Sequence, residues 1–288
     1  MSDPTMTAAA STDAFPAQRV RTPFGAVQWR ESGQASAVTH VLLHGIGSGS
    51  ASWLAQLTWV QDREDLRVLA WDAPGYGQSD PVANASPQAL DYARHLWAWL
   101  DALHATSAVV LVGHSLGCLM AASAAALAPE RVQGLVLLAP ARGYGDAPAP
   151  VREEKLRTRL ETLARLGPEG MAAERAHAML SPNARPEQIE AVRATMAQIQ
   201  VAGYTQAAHM LANAVLARDL AQVQCPRWVA SGEADGITPA SACQAVAQDA
   251  GVTWQSLGPV GHACAIEAAA AVHTLLGWDQ PARSERVA

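Results

Sequence analysis

The stretch 109–117, Val-Val-Leu-Val-Gly-His-Ser-Leu-Gly, constrains the fold of this chain more than any other. Its β-branched apolar run reads as a buried strand, and the small-residue run at 118–128 reads as a helix. The pentapeptide Gly113-His114-Ser115-Leu116-Gly117 lies between them. Strand, tight turn and helix in that order lift a serine hydroxyl onto a sharp elbow, where it can act as a nucleophile. The glycines two before and two after Ser115 remove side chains that would collide in so tight a turn. The helix that starts there turns its unpaired N–H groups and positive dipole end toward the serine. The Leu116 N–H is thereby a candidate donor to a developing oxyanion. Serine is equally suited to capping a helix, and Gly-x-Ser-x-Gly is common in a chain rich in Ala and Gly. Partners elsewhere must decide between nucleophile and cap.

The surroundings of the elbow give the fold class. Residues 22–32 read as a hairpin or edge strand around a glycine, and apolar runs at 38–43, 67–71, 132–138, 227–231 and 253–257 read as further strands. Helical patterns alternate with them at about 53–61, 87–103 and 263–276. From 144 to 218 there is no strand pattern. Leu156, Leu160, Leu163 and Leu166 share one helical face there, and Gly167-Pro168, Ser181-Pro182 and Pro186 divide the interval into four short helices. Strands alternating with helices predict a mostly parallel sheet covered on both faces, with a helical insertion between two strands.

The chain has 288 residues, half of them apolar, and a net charge of −6, enough for one large α/β domain with an inserted subdomain. It carries no basic cluster, which argues against nucleic acid as a partner. No apolar run reaches the length of a membrane span. Residues 1–19 lack the apolar core of a signal peptide and read as a disordered tail on a cytoplasmic protein. Cys118, Cys225, Cys243 and Cys264 are widely spaced without a Cys-x-x-Cys pair, as expected of free thiols. No cysteine–histidine set has zinc-site spacing, and the chemistry below requires no metal or organic cofactor. Nothing in the sequence specifies an oligomeric state.

A serine nucleophile needs a base, and the base needs an orienting carboxylate. In an open parallel sheet both come from loops at the carboxyl ends of strands. Of nine histidines only His44, His114 and His262 lie in such loops. His114 adjoins the serine and leaves the turn in another direction, and His44 precedes a Gly-rich loop that it more naturally braces. His262 follows the last strand in Gly261-His262, just before a helix, and is the preferred base. For the acid, Asp235 directly follows the penultimate strand and is preferred to its neighbour Glu233. Asp72, in Asp72-Ala73-Pro74-Gly75-Tyr76-Gly77-Gln78-Ser79, reads as the anchor of a structural turn that accepts backbone N–H groups. The second oxyanion donor is expected from the Gly-rich loop after residue 43: the Ile46 N–H first, Gly47 as the alternative.

Together these residues resemble the α/β-hydrolase superfamily, over nearly the whole chain after residue 20. The resemblance rests on His44-Gly45, the 72–79 turn, the 113–117 elbow, the 232–235 loop and Gly261-His262, in the chain order Ser, Asp, His. It implies an eight-stranded, mostly parallel sheet with helices on both faces and an inserted helical cap. The domains would be an N-terminal tail (1–19), a core (20–143 and 217–279), the cap (144–216) and a C-terminal tail (280–288). The triad would be Ser115, His262 and Asp235, with Ile46 and Leu116 N–H groups as the oxyanion hole. The substrate would be a small-molecule ester or lactone. The nearest branches are 3-oxoadipate enol-lactonases, carboxylesterases and meta-cleavage-product C–C hydrolases. The C–C hydrolases usually carry asparagine before the nucleophile and a large residue after the histidine, where this chain has His114 and Ala263. Serine excludes the aspartyl-ester chemistry of epoxide hydrolases and dehalogenases. An acyltransferase or perhydrolase, and a ligand-binding protein without catalysis, are the rival classes. Tyr144, Tyr204, Met171, Met179, Met196 and Met210 can line an apolar pocket in the insertion, although core packing is the commoner role of such residues. Arg142, Arg175, Arg185 and Arg193 are candidates to pair with a substrate carboxylate, against the commoner role of a solvated helix face.

Overall fold

The strand-end loops converge because of how the sheet is wound. The computed structural model describes residues 12–279. β1 (Gln18–Thr22) and β2 (Gly25–Ser32) form an antiparallel hairpin, turned at Gly25, whose φ of +118° favours glycine. β3 (His40–Leu43), β4 (Val68–Asp72), β5 (Val109–His114), β6 (Val132–Leu138), β7 (Arg227–Ser231) and β8 (Trp254–Ser256) follow. The eight strands lie in the order β1-β2-β4-β3-β5-β6-β7-β8, and all pairings from β4 to β8 are parallel. The chain steps from β3 outward to β4 and then returns to β5 on the other side of β3. That reversal opens a crevice above the carboxyl ends of β3 and β5, where ligands bind in open α/β sheets.

Helices α1 (Leu54–Trp59), α2 (Ala89–Ala102), α3 (Leu116–Leu127), α8 (Ala240–Asp249), α9 (Cys264–Glu267) and α10 (Ala269–Leu275) cover the sheet. Between β6 and β7 run α4 (Ala149–Arg175), α5 (Pro186–Met196), α6 (Val201–Asn213) and α7 (Leu216–Leu220). Alternate strand residues feed two cores. Val41, Leu69, Leu111, Leu135 and Val229 pack with α2, α3 and α8, while Leu42, Val68, Val112, Val136 and Ala230 pack with α1, α9 and α10. A period of two along buried strands is what divides one sheet between two helical layers.

The helical interval contains no strand, as its sequence pattern implies, but its segmentation differs from expectation. Gly167, at φ/ψ +63°/178°, is not helical, so α4 is two helices meeting at a kink at the Gly167-Pro168 break that the sequence marks, and the interval holds five α-helical pieces instead of four. The C-terminal helical pattern is divided at Ala268, whose φ/ψ of −123°/44° is not helical. Residues 12–19 are ordered, contrary to the expected tail. A 3-10 turn at Thr12–Ala14 leads to a buried Phe15, and the Arg30 guanidinium donates to the Thr12 and Phe15 carbonyls before β1 begins. One aromatic side chain was enough to dock a polar segment. The rest of that tail (1–11) and the expected C-terminal tail (280–288) lie outside the described residues.

Candidate active site

The elbow is built as its sequence implies. Ser115 sits at φ +52°, ψ −112°, a region that L-residues rarely occupy and that costs about 1–3 kcal/mol to hold. Its N–H donates to the Leu138 carbonyl (2.9 Å) and its own carbonyl accepts from Ala141 (3.2 Å), so the β6 loop fixes the strained residue from both sides. Glycine is required at both flanks. A Cβ on Gly117 would lie 2.1 Å from the Leu43 carbonyl oxygen, and one on Gly113 would lie 2.6 Å from the Gly117 oxygen. The first turn of α3 therefore packs directly on the end of β3.

His262 and Asp235 meet. His262 Nδ1 is 2.8 Å from Asp235 Oδ2, with both side chains buried. The second carboxylate oxygen accepts the Ile237 and Thr238 N–H groups at 2.7 and 2.9 Å. The Thr238 hydroxyl is 2.8 Å from Oδ2, within reach of the Ala139 carbonyl (3.1 Å) as well. Burial alone pushes the Asp235 carboxyl up. The hydrogen bonds and charge of His262, with the Thr238 contacts, outweigh it and hold the group below its ordinary value. Glu233, the sequence competitor, is exposed and accepts from the Ser256 hydroxyl instead. Ser115 and His262 line one cavity, and their side chains share no hydrogen bond.

The Gly-rich loop after β3, the candidate oxyanion loop, is braced by His44, as expected, and also by Tyr76 and Asp72. His44 Nδ1–H donates to the Gly45 carbonyl (2.8 Å), and Nε2 accepts the Ala73 N–H (3.0 Å). Burial pushes the His44 pKa down, consistent with this neutral tautomer. In a trans peptide the N–H points opposite the C=O, so clamping the Gly45 carbonyl fixes where the Ile46 N–H aims. The Tyr76 hydroxyl does the same for Gly47 by donating to the Ile46 carbonyl (2.7 Å). Asp72 accepts from the Ser50 N–H, the Ser50 hydroxyl and Gln28 Nε2, tying this loop to the 72–79 turn. Leu116 opens α3, so its N–H has no partner within the helix. Ile46, Gly47 and Leu116 all line the cavity with Ser115.

Three contacts were not foreseen from sequence. Thr238 completes the shell of Asp235, and its signal was a hydroxyl three residues after the acid, where Asx-type turns place a donor. His114 donates from Nε2 to the His262 carbonyl (2.8 Å), joining the elbow to the loop of the candidate base. Burial and the neighbouring His262 lower the His114 pKa to about 3, so it stays neutral. Glu267, one turn into α9, accepts the Gly261 N–H (2.8 Å), the Ser181 N–H (3.0 Å) and the Ser181 hydroxyl. The insertion thus touches the His262 loop directly, and the Ala263 N–H also donates to the Met179 carbonyl (2.7 Å).

The cavity holds about 460 Å³ between the strand ends and the insertion. Tyr144, Tyr204, Met171, Met179 and Met196 line it, whereas Met210 packs in the core. Of the arginines singled out, Arg175 and Arg142 line it, and Arg142 lies 3.6 Å from Asp249. Arg185 and Arg193 face away and pair with Glu187 and Glu190. Arg159, not singled out, lines it too. Cys118 and Cys264 are buried, and burial pushes the Cys264 thiol up to about 12. Among the described residues no group of three or more His, Cys, Asp and Glu side chains converges as metal ligands do, and no helix is long and apolar enough to cross a membrane.

A serine at the turn after the central strand, with an acid and a histidine following on the ends of later strands, is the construction of an α/β-hydrolase fold. Comparison with known proteins agrees. A family model described as serine aminopeptidase S33 matches residues 34–258, and the chain belongs to that family. A curated relative, the 2-hydroxy-6-oxononadienedioate/2-hydroxy-6-oxononatrienedioate hydrolase of Cupriavidus pinatubonensis, is 36% identical over 128 residues. That alignment covers 43% of each chain, so the match spans less than half the length of this relative. The malate-bound esterase of Thermogutta terrifontis superposes with a TM-score of 0.78 at 24% identity, covering 91% of this chain and 97% of that one. The enol-lactonase of Burkholderia xenovorans gives 0.70 at 20% identity, covering 90% and 98%. At such identities these two likenesses speak for the fold alone.

Proposed function

We propose that this chain is a serine hydrolase that cleaves a carboxylic ester or lactone of a small organic acid through an acyl-enzyme. The observation that carries the reading is the buried 2.8 Å contact between His262 Nδ1 and Asp235 Oδ2, beside a cavity shared with the strained Ser115. In the proposed cycle His262 Nε2 takes the Ser115 proton as Oγ attacks the carbonyl carbon. Asp235 fixes the imidazole tautomer and stabilises the imidazolium. The Ile46 and Leu116 N–H groups receive the oxyanion, and His262 returns the proton to the leaving group. Water activated by His262 then releases the acid. The helical insertion serves as a cap over this centre.

The experiment is fluorophosphonate labelling, followed by rates on a panel of p-nitrophenyl esters, lactones, dienoate ketones and aminoacyl anilides. Stoichiometric labelling of wild type and none of Ser115→Ala is the expected result. Folded wild-type protein that resists the probe would overturn the reading in favour of a ligand-binding role. A second reading, C–C bond hydrolysis, is favoured by the named activity of the Cupriavidus relative. It is disfavoured by His114 and Ala263 at the positions flanking the machinery. Turnover of a dienoate ketone faster than of any ester would select it.

A further inference from the structure

The cavity carries charge that the proposed triad does not use. Arg142, Arg159 and Arg175 all line it. Outside the cavity, Arg157 pairs with Glu154 and Glu161, Arg165 with Glu174, Arg185 with Glu187 and Arg193 with Glu190, while Arg152 has no acid partner among the described residues and does not reach the cavity. Arg142 has Asp249 within 3.6 Å. Arg159 and Arg175 have no carboxylate partner among the described residues. The recorded polar contact of Arg159 is the Tyr204 hydroxyl at 3.3 Å. The acid in the lining, Asp146, is taken by Arg218. Arg159 and Arg175 are both half-buried, and the apolar side chains of Met171, Met179, Met196, Val192 and Leu211 share the cavity wall with them.

Their convergence depends on the kink in α4. Sixteen residues of straight helix would set Arg159 and Arg175 about 24 Å apart along the axis and about 160° apart around it. The break at Gly167, φ +63°, brings both onto one cavity. A Cβ there would meet nothing within 4 Å, so glycine is needed for the backbone angle and not for space. A guanidinium keeps its charge at every physiological pH, and on an apolar wall it lacks the acceptors it needs. A planar carboxylate fits its fork of donors.

We propose that Arg159 and Arg175 form a carboxylate-binding subsite, so that the molecule cleaved at Ser115 carries a second, free carboxylate. The substrate class is then a monoester or lactone of a dicarboxylic acid. This rests on the hydrolase reading for the word substrate, but the subsite itself can be tested without turnover.

The binding arm titrates glutarate into Ser115→Ala protein by calorimetry. Glutarate should bind, and adding Arg159→Met and Arg175→Met should weaken Kd by about 10- to 100-fold, the worth of hydrogen bonds to a charged group. Arg193→Met, outside the cavity, is the control and should leave Kd alone. No binding of glutarate, or inorganic phosphate binding more tightly than glutarate, overturns the carboxylate subsite. The kinetic arm compares mono-p-nitrophenyl glutarate with p-nitrophenyl valerate. The ratio of their kcat/KM values should favour the acid in wild type and fall by about 10- to 100-fold in the double variant. A ratio that stays constant while both rates fall together also overturns it. If neither ester nor lactone is turned over, the hydrolase reading fails and the glutarate titration still decides the subsite.

Discussion

Two buried histidines near the C-terminal end of the chain meet burial in opposite ways. His262, in the loop after β8, has its ring nitrogen on a buried carboxylate and its backbone held by His114, Glu267 and the insertion. His273, on α10, is stacked between Trp59 and Trp278, with ring centroids 4.7 and 5.8 Å away, and neither ring nitrogen has a partner among the described residues. Burying an imidazole beside an acid gives its ring nitrogen a hydrogen-bond partner and fixes its orientation. Burying one between indoles only removes it from water, at a cost to stability. The sharpest way to break the contrast is to spoil the first arrangement. In Asp235→Asn an amide N–H would donate to Nδ1, leaving the ring proton on Nε2, which then cannot accept from Ser115. Ester kcat should fall by about 10⁴-fold, with thermal stability little changed. A loss under 10-fold would show that Asp235 does not set the tautomer.

Acid should expose the second arrangement. Burial lowers the pKa of His273 to about 4 and that of His40 to about 4, against small upward pulls from Asp279 and Asp65 respectively. A folded-state pKa below the ordinary 6.5 means that the unfolded chain binds protons first. Their titration therefore leaves stability unchanged above pH 6.5, and stability drains away as pH falls from 6.5 toward 4, by up to about 1.4 kcal/mol per histidine per unit. Asp235 acts in a lower window, because its depressed pKa supports the fold until pH falls below the ordinary carboxylate range. Urea midpoints between pH 7.5 and 4.5 measure the histidine window, and a flat profile would contradict it.

The same contrast separates what the sequence could disclose from what it could not. Ser115, Asp235 and His262 were legible because topology demands strand-end loops, and each loop declares itself by an apolar run ending in glycine. β6 and β7 appear at the bounds their apolar runs mark, 132–138 and 227–231. His273 sits in a helical pattern like any other residue, and its placement between Trp59 and Trp278 depends on long-range packing of α10 that no periodicity encodes. Arg159 escaped for the same reason. The Gly167-Pro168 break was visible, but its consequence, a kink that swings a second arginine onto the cavity, is three-dimensional. Phe15 shows the opposite failure, where composition suggested disorder and a single docked ring overrode it.

A smaller effect tests how far the insertion secures His262. Glu267→Gln keeps the side-chain volume but halves the carboxylate that receives Gly261 and Ser181. Thr238→Val removes the hydroxyl beside Asp235 Oδ2 without changing shape. Each should lower kcat by about 2- to 10-fold, as expected for one hydrogen bond behind the reacting groups. Because Glu267 and Thr238 act through other residues, KM should move less than kcat and the fluorophosphonate labelling rate should fall in step. A rise in KM alone would assign Glu267 to cap closure instead of to the base.

His273→Phe carries the least expected change and the most direct reading of the contrast. Phenylalanine can keep the stack between Trp59 and Trp278 while removing two ring nitrogens that have no partner among the described residues. Half of Trp59 is exposed, so the new ring can settle by small movements of a surface side chain. Stability at pH 7.5 should rise by about 1 kcal/mol, the cost of leaving such a group unsatisfied. Between pH 6.5 and 4.5 the loss of stability should become shallower by about 1.4 kcal/mol per unit, one histidine's share. Ester turnover should be untouched, since α10 contributes nothing to the cavity. A variant that is less stable at pH 7.5, with the acid slope of the wild type, would show that His273 has a hydrogen-bond partner and that the two histidines are buried on the same terms.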